Sequence, residues 1–311
     1  MNRLFQISVP PALYMRRVVV VCCLLVLISF TGTSGVSAKA PEDTGAGPLF
    51  GGQWAWTNNT SSQTTTLDSL PSIAEDYTAT WCTNCVKVEH VLEDLENNGE
   101  IKKYHFHRAN DHEDPFGSDN TEEHFDSRYN AGAPPIVVFN GTQKQIGSTA
   151  NGESLEDDYR SLIGQSLNLG SGNTTLSWSS QDGQTGVVSW SAELNMEQFE
   201  EYEMSVNVWF VEASAEFAEG SNGEEIYPSI VTKIVEVGNK SSGTATVSIP
   251  NSYDGDDMQV HLMYHFTPIE TSQDTGIEDT SEDSDSSSLP SISAVISLSC
   301  IIAAAIFKWD N

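Results

Sequence analysis

Trp81-Cys82-Thr83-Asn84-Cys85 follows directly on a strand-like run, residues 73–80, and opens a helix-like one with Val88, Val91, Leu92 and Leu95 at helical spacing. Two cysteines three apart at such a junction have the arrangement of a redox dithiol. Unpaired backbone N–H groups and the positive dipole end of the helix stabilise a thiolate on the first cysteine. The second lies one helical turn on, close enough to close a disulfide. The same spacing is half of a zinc site, but zinc needs two further ligands with their own spacing. The chain has no second C-x-x-C.

Cysteine usage sharpens this reading. Of the five cysteines, Cys22 and Cys23 fall in an N-terminal apolar run and Cys300 in a C-terminal one. The chain between those runs therefore holds only the motif pair. A secreted scaffold stapled by disulfides spreads its cysteines along its length. Concentration at one spot favours chemistry over stapling.

The two ends place the molecule. Residues 18–30 carry no charge, follow Arg16-Arg17 and lead to Ala38-Lys39-Ala40, an A-x-A pattern. Residues 1–40 thus read as a secretory signal peptide, with an uncleaved anchor as the alternative. Residues 289–307 also lack charge, and they are long enough for a bilayer core of about 30 Å. Lys308 and Trp309 suit the interface beyond it. This segment reads as a single transmembrane helix with a short cytoplasmic tail, 308–311. The expected location is the cell membrane, single-pass, with everything between the two segments extracytoplasmic. Composition agrees: 44 acidic residues oppose 14 basic ones, for a formal net charge of −30. Such a surface repels nucleic acid, which is excluded as a partner.

Between the ends, residues 41–66 are rich in Thr, Ser, Gly and Asn and read as an N-terminal arm. Residues 67–168 give the order β-α-β-α-β-β-α, with strands at 73–80, 103–107, 136–140 and 145–148 and helices at 85–97, 120–129 and 154–167. From 169 to 267 the texture changes to alternating runs punctuated by Gly, Asn and Asp, as in Gln181-Asp182-Gly183. Such runs without helices predict a β-sandwich, with Trp178, Trp190 and Trp209 in its core. Residues 268–288 are acidic and serine-rich and read as a flexible stalk. The expected fold class is an α/β domain followed by an all-β sandwich domain.

The stretch Ala74-Glu75-Asp76-Tyr77-Thr78-Ala79-Thr80-Trp81-Cys82-Thr83-Asn84-Cys85 resembles the thioredoxin family. Gly132-Ala133-Pro134-Pro135-Ile136-Val137-Val138-Phe139 is similar to that family's cis-proline loop and the strand it feeds. The wider layout resembles the twenty-eight-kilodalton outer-membrane-protein family and its archaeal relatives, surface proteins with a thioredoxin-like domain and a β-rich module. The resemblance implies roles. Cys82 matches the attacking cysteine and Cys85 the resolving one. Asp76 matches the buried carboxylate that relays the resolving thiol's proton, and Trp81 the aromatic lid. Pro134 matches the cis-proline of the substrate loop, with Pro135 as the adjacent alternative. Thr83-Asn84 departs from the family's Gly-Pro, so the direction of exchange is open.

These expectations compete with plainer ones. His90, His105 and His107 with the cysteines are the residues a copper or zinc site would use. Asp111, Glu113, Asp114 and Asp119 offer oxygen ligands for calcium but lack the spacing of a calcium loop. The expected function is thiol–disulfide exchange on exported proteins, oxidase or isomerase rather than reductase. It needs no cofactor besides the Cys82–Cys85 disulfide, no metal, and a redox partner of unknown identity. The alternative is a non-catalytic surface binding or adhesion protein with a structural disulfide.

Overall fold

The computed structural model describes residues 38–269 except 131 and 166. The signal segment up to residue 37, most of the stalk and the proposed membrane span lie outside the described residues. No described helix is long and apolar enough to cross a membrane.

The elements between 72 and 163 form where their patterns place them. β4 (Ser72–Thr78), α1 (Thr83–Asn97), β5 (Ile101–His107), α2 (Asp119–Tyr129), β6 (Ile136–Phe139), β7 (Gln143–Ile146) and α3 (Leu155–Ile163) follow in the expected order. β4 runs parallel to β5 and antiparallel to β6, and β7 pairs antiparallel with β6. α1 buries Val88, Leu92 and Leu95 with Leu155, Tyr159 and Leu162 of α3 against one face of these strands. α2 covers the other face with Phe125 and Tyr129. Its start is fixed by a capping box between Ser118 and Thr121.

The rest corrects the two-domain expectation. The molecule is predominantly β, and one nine-stranded sheet runs through both halves: β1 (Glu42–Asp43), β7, β6, β4, β5, β11 (Ile226–Gly238), β10 (Tyr202–Glu216), β13 (Met258–Pro268) and β2 (Leu49–Trp56), in that order. The junction is a parallel pairing of β5 with β11, Ile230 opposite His105. β11 continues antiparallel through β10 and β13 to β2. A second sheet, β12 (Ser242–Ser248), β9 (Thr185–Ala192), β8 (Asn173–Ser180) and β3 (Thr60–Thr66), packs over that end. Trp178, Trp190, Phe210 and Tyr264 lie between the two layers.

The supposed arm is therefore structural. It supplies β1 (Glu42–Asp43), paired with β7 at one edge, β2 at the opposite edge, and β3 in the second sheet. Its Thr/Ser run reads as a linker by composition, yet β-branched threonines fit a pleated surface. Ser62 and Thr64 pair side chain to side chain with Ser177 and Thr175 across the ladder. The chain thus begins the β-rich half, leaves it to build the dithiol-bearing half, and returns.

The nine-stranded sheet also curls. Leu49 donates its N–H to the Asn140 carbonyl at 2.9 Å, bringing β2 back to the loop after β6. Gly51 (φ +139°) and Gly52 (φ +86°) sit opposite a register shift at Leu262/Met263 and let β2 bend. Inside the curl, Trp209 meets Tyr104 and Phe106 edge to face, with ring centroids 5.0 and 5.3 Å away. Trp178 and Trp190 lie in the sandwich core as expected, whereas Trp209 packs on the opposite face, against β5 and α2.

Candidate functional site

Cys82 and Cys85 are joined in a disulfide at the start of α1. Cys82 is the N-cap residue, and its side chain caps no backbone N–H. Cys82 is 5% exposed and Cys85 fully buried. The amide groups of the first turn thus converge on the position where a Cys82 thiolate forms.

Two loops hold the approach to this pair. From the acidic loop, Asp114 Oδ2 accepts the Thr80 N–H at 3.0 Å and also contacts His107 Nδ1 at 2.8 Å. The Glu113 carbonyl accepts the Thr80 hydroxyl at 2.6 Å, and Asp111 accepts the Trp81 indole N–H at 2.8 Å. Asp119 accepts the Asn110 side chain at 2.6 Å. Of the residues weighed as calcium ligands, Asp111, Asp114 and Asp119 thus shape this loop through their carboxylates and Glu113 through its backbone carbonyl. From the β-rich half, the loop between β10 and β11 closes on the same residue. Ser221 and Asn222 both donate backbone N–H groups to the Thr80 carbonyl at 3.0 Å. Tyr227 on β11 donates its hydroxyl to Asn222 Oδ1 at 2.8 Å, securing that loop in turn. Sequence reasoning missed Thr80 and this second loop. Its partners are more than 130 residues away, and nothing local marks them.

Asp76 lies on β4, fully buried, with His105 directly opposite on β5. Asp76 Oδ2 and His105 Nδ1 are 3.0 Å apart, while Asp76 Oδ1 and His105 Nε2 have no hydrogen-bond partner. Burial pushes the Asp76 carboxyl up to about 7, against smaller opposing effects of His107 and Lys103. Burial, with Lys103 adding to it, pushes His105 down to about 3. Both directions put the shared proton on Asp76 and leave the imidazole neutral. Glu89, one turn beyond Cys85 on α1, completes the group: its carboxylate lies within 4.8 Å of ligating atoms of Asp76 and His105. Thr78 donates its hydroxyl to Glu89. Burial raises the Glu89 carboxyl too. Asp76 Oδ2 and His105 Nδ1 are thus hydrogen-bonded to each other, and a Glu89 oxygen to Thr78.

The histidines weighed as metal ligands go separate ways. His105 faces Asp76, His107 faces Asp114, and His90 lies at the surface 3.4 Å from Glu224. The proline assignment shifts by one residue: the cis peptide joins Pro134 to Pro135, so the cis amide belongs to Pro135 rather than Pro134. Pro135 is buried, and β6 starts at the next residue.

The proton shared by Asp76 and His105 makes a stability prediction. In the unfolded chain between pH 4 and 6.5, the pair holds one proton, on the imidazole; folded, it also holds one, on Asp76. Their contributions to pH dependence cancel over that range. His105→Gln removes the compensation. A carboxyl raised in the folded state stabilises it most below the unfolded value, and that advantage fades as pH rises toward 7. Relative to the wild type, the variant should lose about 3 kcal/mol between pH 4 and 6.5. Urea midpoints at several pH values measure it, and a flat difference rejects the assignment.

No family model matches the chain, and no protein of curated function matches it significantly. Among solved structures, HBP35 of Porphyromonas gingivalis aligns with 10% identity over 69% of this chain and 80% of its own, at a TM-score of 0.44. Protein AGR_C_4864 from Agrobacterium tumefaciens aligns with 17% identity over 58% of this chain and 78% of its own, at a TM-score of 0.39. Neither assigns the chain to a family.

Proposed function

We propose that the protein is a thiol–disulfide oxidoreductase of exported proteins, with Cys82 exchanging and Cys85 resolving. The observation that carries this reading is a dithiol pair at a helix N-terminus, with a buried carboxyl held near neutrality on the strand that leads into it. The resemblance of Trp81–Cys85 and of the Pro134–Pro135 loop to the thioredoxin family supports it, as does the strand order β7-β6-β4-β5. The charge and the apolar terminal segments support a membrane-anchored, extracytoplasmic setting.

In the oxidising direction, a substrate thiolate attacks Cys82 Sγ and the Cys82–Cys85 bond breaks. Cys85 leaves as a thiolate and takes a proton from Asp76. A second substrate thiolate then attacks the substrate sulfur of the mixed disulfide and expels Cys82 as a thiolate. The substrate has lost two electrons and the protein dithiol has gained them; a partner disulfide takes them onward. Trp81, tethered to Asp111, lines the approach.

A second reading has its own support. Both sulfurs are nearly inaccessible, which suits a structural disulfide in a binding protein. The reduction potential in glutathione buffers separates the two. Values of about −120 to −200 mV are expected for an oxidase or isomerase and about −270 mV for a reductase. A value below about −300 mV with slow exchange would reject catalysis.

A further inference from the structure

We infer that Glu89 is the proton outlet of the dithiol, the side chain through which Asp76 exchanges its proton with solvent. This rests on the proposed exchange reaction and extends it to a residue outside the motif.

The geometry narrows the choice to Glu89. Cys85 and Asp76 are both fully buried, so a proton passed between them is cut off from water. His105 is buried as well, its Nδ1 turned to Asp76 and its Nε2 unpartnered. Of the three clustered side chains only Glu89 is partly exposed. Positions 85 and 89 share one face of α1, so the carboxylate stands one turn from the resolving sulfur. A carboxylate that touches a sealed acid on one side and water on the other can load and unload it.

The charged and titratable groups around the outlet are settled by the fold. From β4, Asp76 disfavours a charge on Glu89 while the Thr78 hydroxyl supports one; from β5, His105 and His107 support it. Burial, and after it the Glu89 charge, push the Tyr227 hydroxyl of β11 up. Lys103 of β5 lowers the Asp76 carboxyl against the effect of burial, and the Asp76 charge adds to burial in raising the Tyr159 hydroxyl of α3. Next to Glu89 in the chain, His90 meets Glu224 of the β-rich half at the surface.

Asp76 holds a proton until it unloads through Glu89 to water; in the resolving step Cys85 S–H then gives its own proton to the emptied Asp76 carboxylate. The Cys85 thiolate attacks Cys82 Sγ, the Cys82–Cys85 bond forms, and the substrate thiolate leaves. Asp76 then passes the proton to Glu89 carboxylate and Glu89 passes it to water. Asp76 is left as the carboxylate it began as, and the substrate departs as a thiolate.

The test uses the reduced full-length protein with oxidised glutathione, following release of glutathione as the mixed disulfide on Cys82 closes. For Glu89→Gln, closure between pH 6 and 7.5 should slow on the order of tenfold, at the low end of general acid–base effects. Glu89→Asp should recover most of that loss, which a packing defect would not. Asp76→Asn should slow closure in the same range. If Glu89→Gln matches the wild type at every pH while Asp76→Asn is slow, the outlet is elsewhere and the exchange reading stands. If the wild type fails to exchange with glutathione, the exchange reading falls and the outlet with it.

Discussion

Cys82→Ser should lower disulfide exchange by on the order of a thousandfold or more, the scale seen when a nucleophile is deleted. Cys85→Ser should keep the first attack and stall as a mixed disulfide. The asymmetry follows from position. Cys82 caps α1 without using its side chain, so a thiolate there meets free amide groups and the dipole's positive end. Cys85 sits within the first turn, fully buried, one helical turn before Glu89. Incubating each variant with a disulfide-bearing peptide and weighing the protein by mass spectrometry separates the roles. A stable adduct on Cys85→Ser and none on Cys82→Ser is the expected pattern. Equal loss in both, without adduct, would reduce the pair to a staple.

Much of this site is legible in the chain because its parts are local. The C-x-x-C, the carboxylate six residues before it and the proline pair each stand in a short pattern. The strands and helices from 72 to 163 follow from periodicity with boundaries shifted by a few residues. Glu89 was equally legible: an acid four residues after Cys85, on the face that buries Val88 and Leu92, is out of place unless something needs it. Which proline is cis could not be read, because two adjacent prolines offer the same signal. The curl of the sheet was hidden for a different reason. A strand's own alternation says which face is buried, not which distant strand lies beside it. β5 and β11 are more than 100 residues apart, and the polar β3 gives no hydrophobic signal at all. The composition break near Gly170 is real, but strands from both sides of it share the nine-stranded sheet.

That sheet leads to the second large effect. Trp209→Ala should destabilise the protein by about 3–5 kcal/mol, the range for emptying a buried tryptophan site. Unlike a purely local core change, it should lower the stability of the dithiol half and the β-rich half together. Trp209 is fully buried on β10, yet it packs on Tyr104 and Phe106 of β5 and on His124 of α2, at 5.0, 5.3 and 5.4 Å. Its cavity would open between the halves. Wild type and variant should both unfold in one transition, with loss of strand signal and exposure of the cysteines to alkylation coinciding. Trp190→Ala gives the comparison: it empties a site between the two β layers, away from β5, and should shift the same single transition. Two separated transitions in the wild type would mean that the halves are independent. By the same reasoning a fragment of residues 67–168 should not fold. It lacks β2, β10 and β11, and leaves Tyr104, Phe106 and the β5 edge facing water. The dithiol is then an outcrop of the whole molecule, with Thr80 pinned from the β-rich side by Ser221 and Asn222. Loosening that side should reach the cysteines as surely as mutating their neighbours.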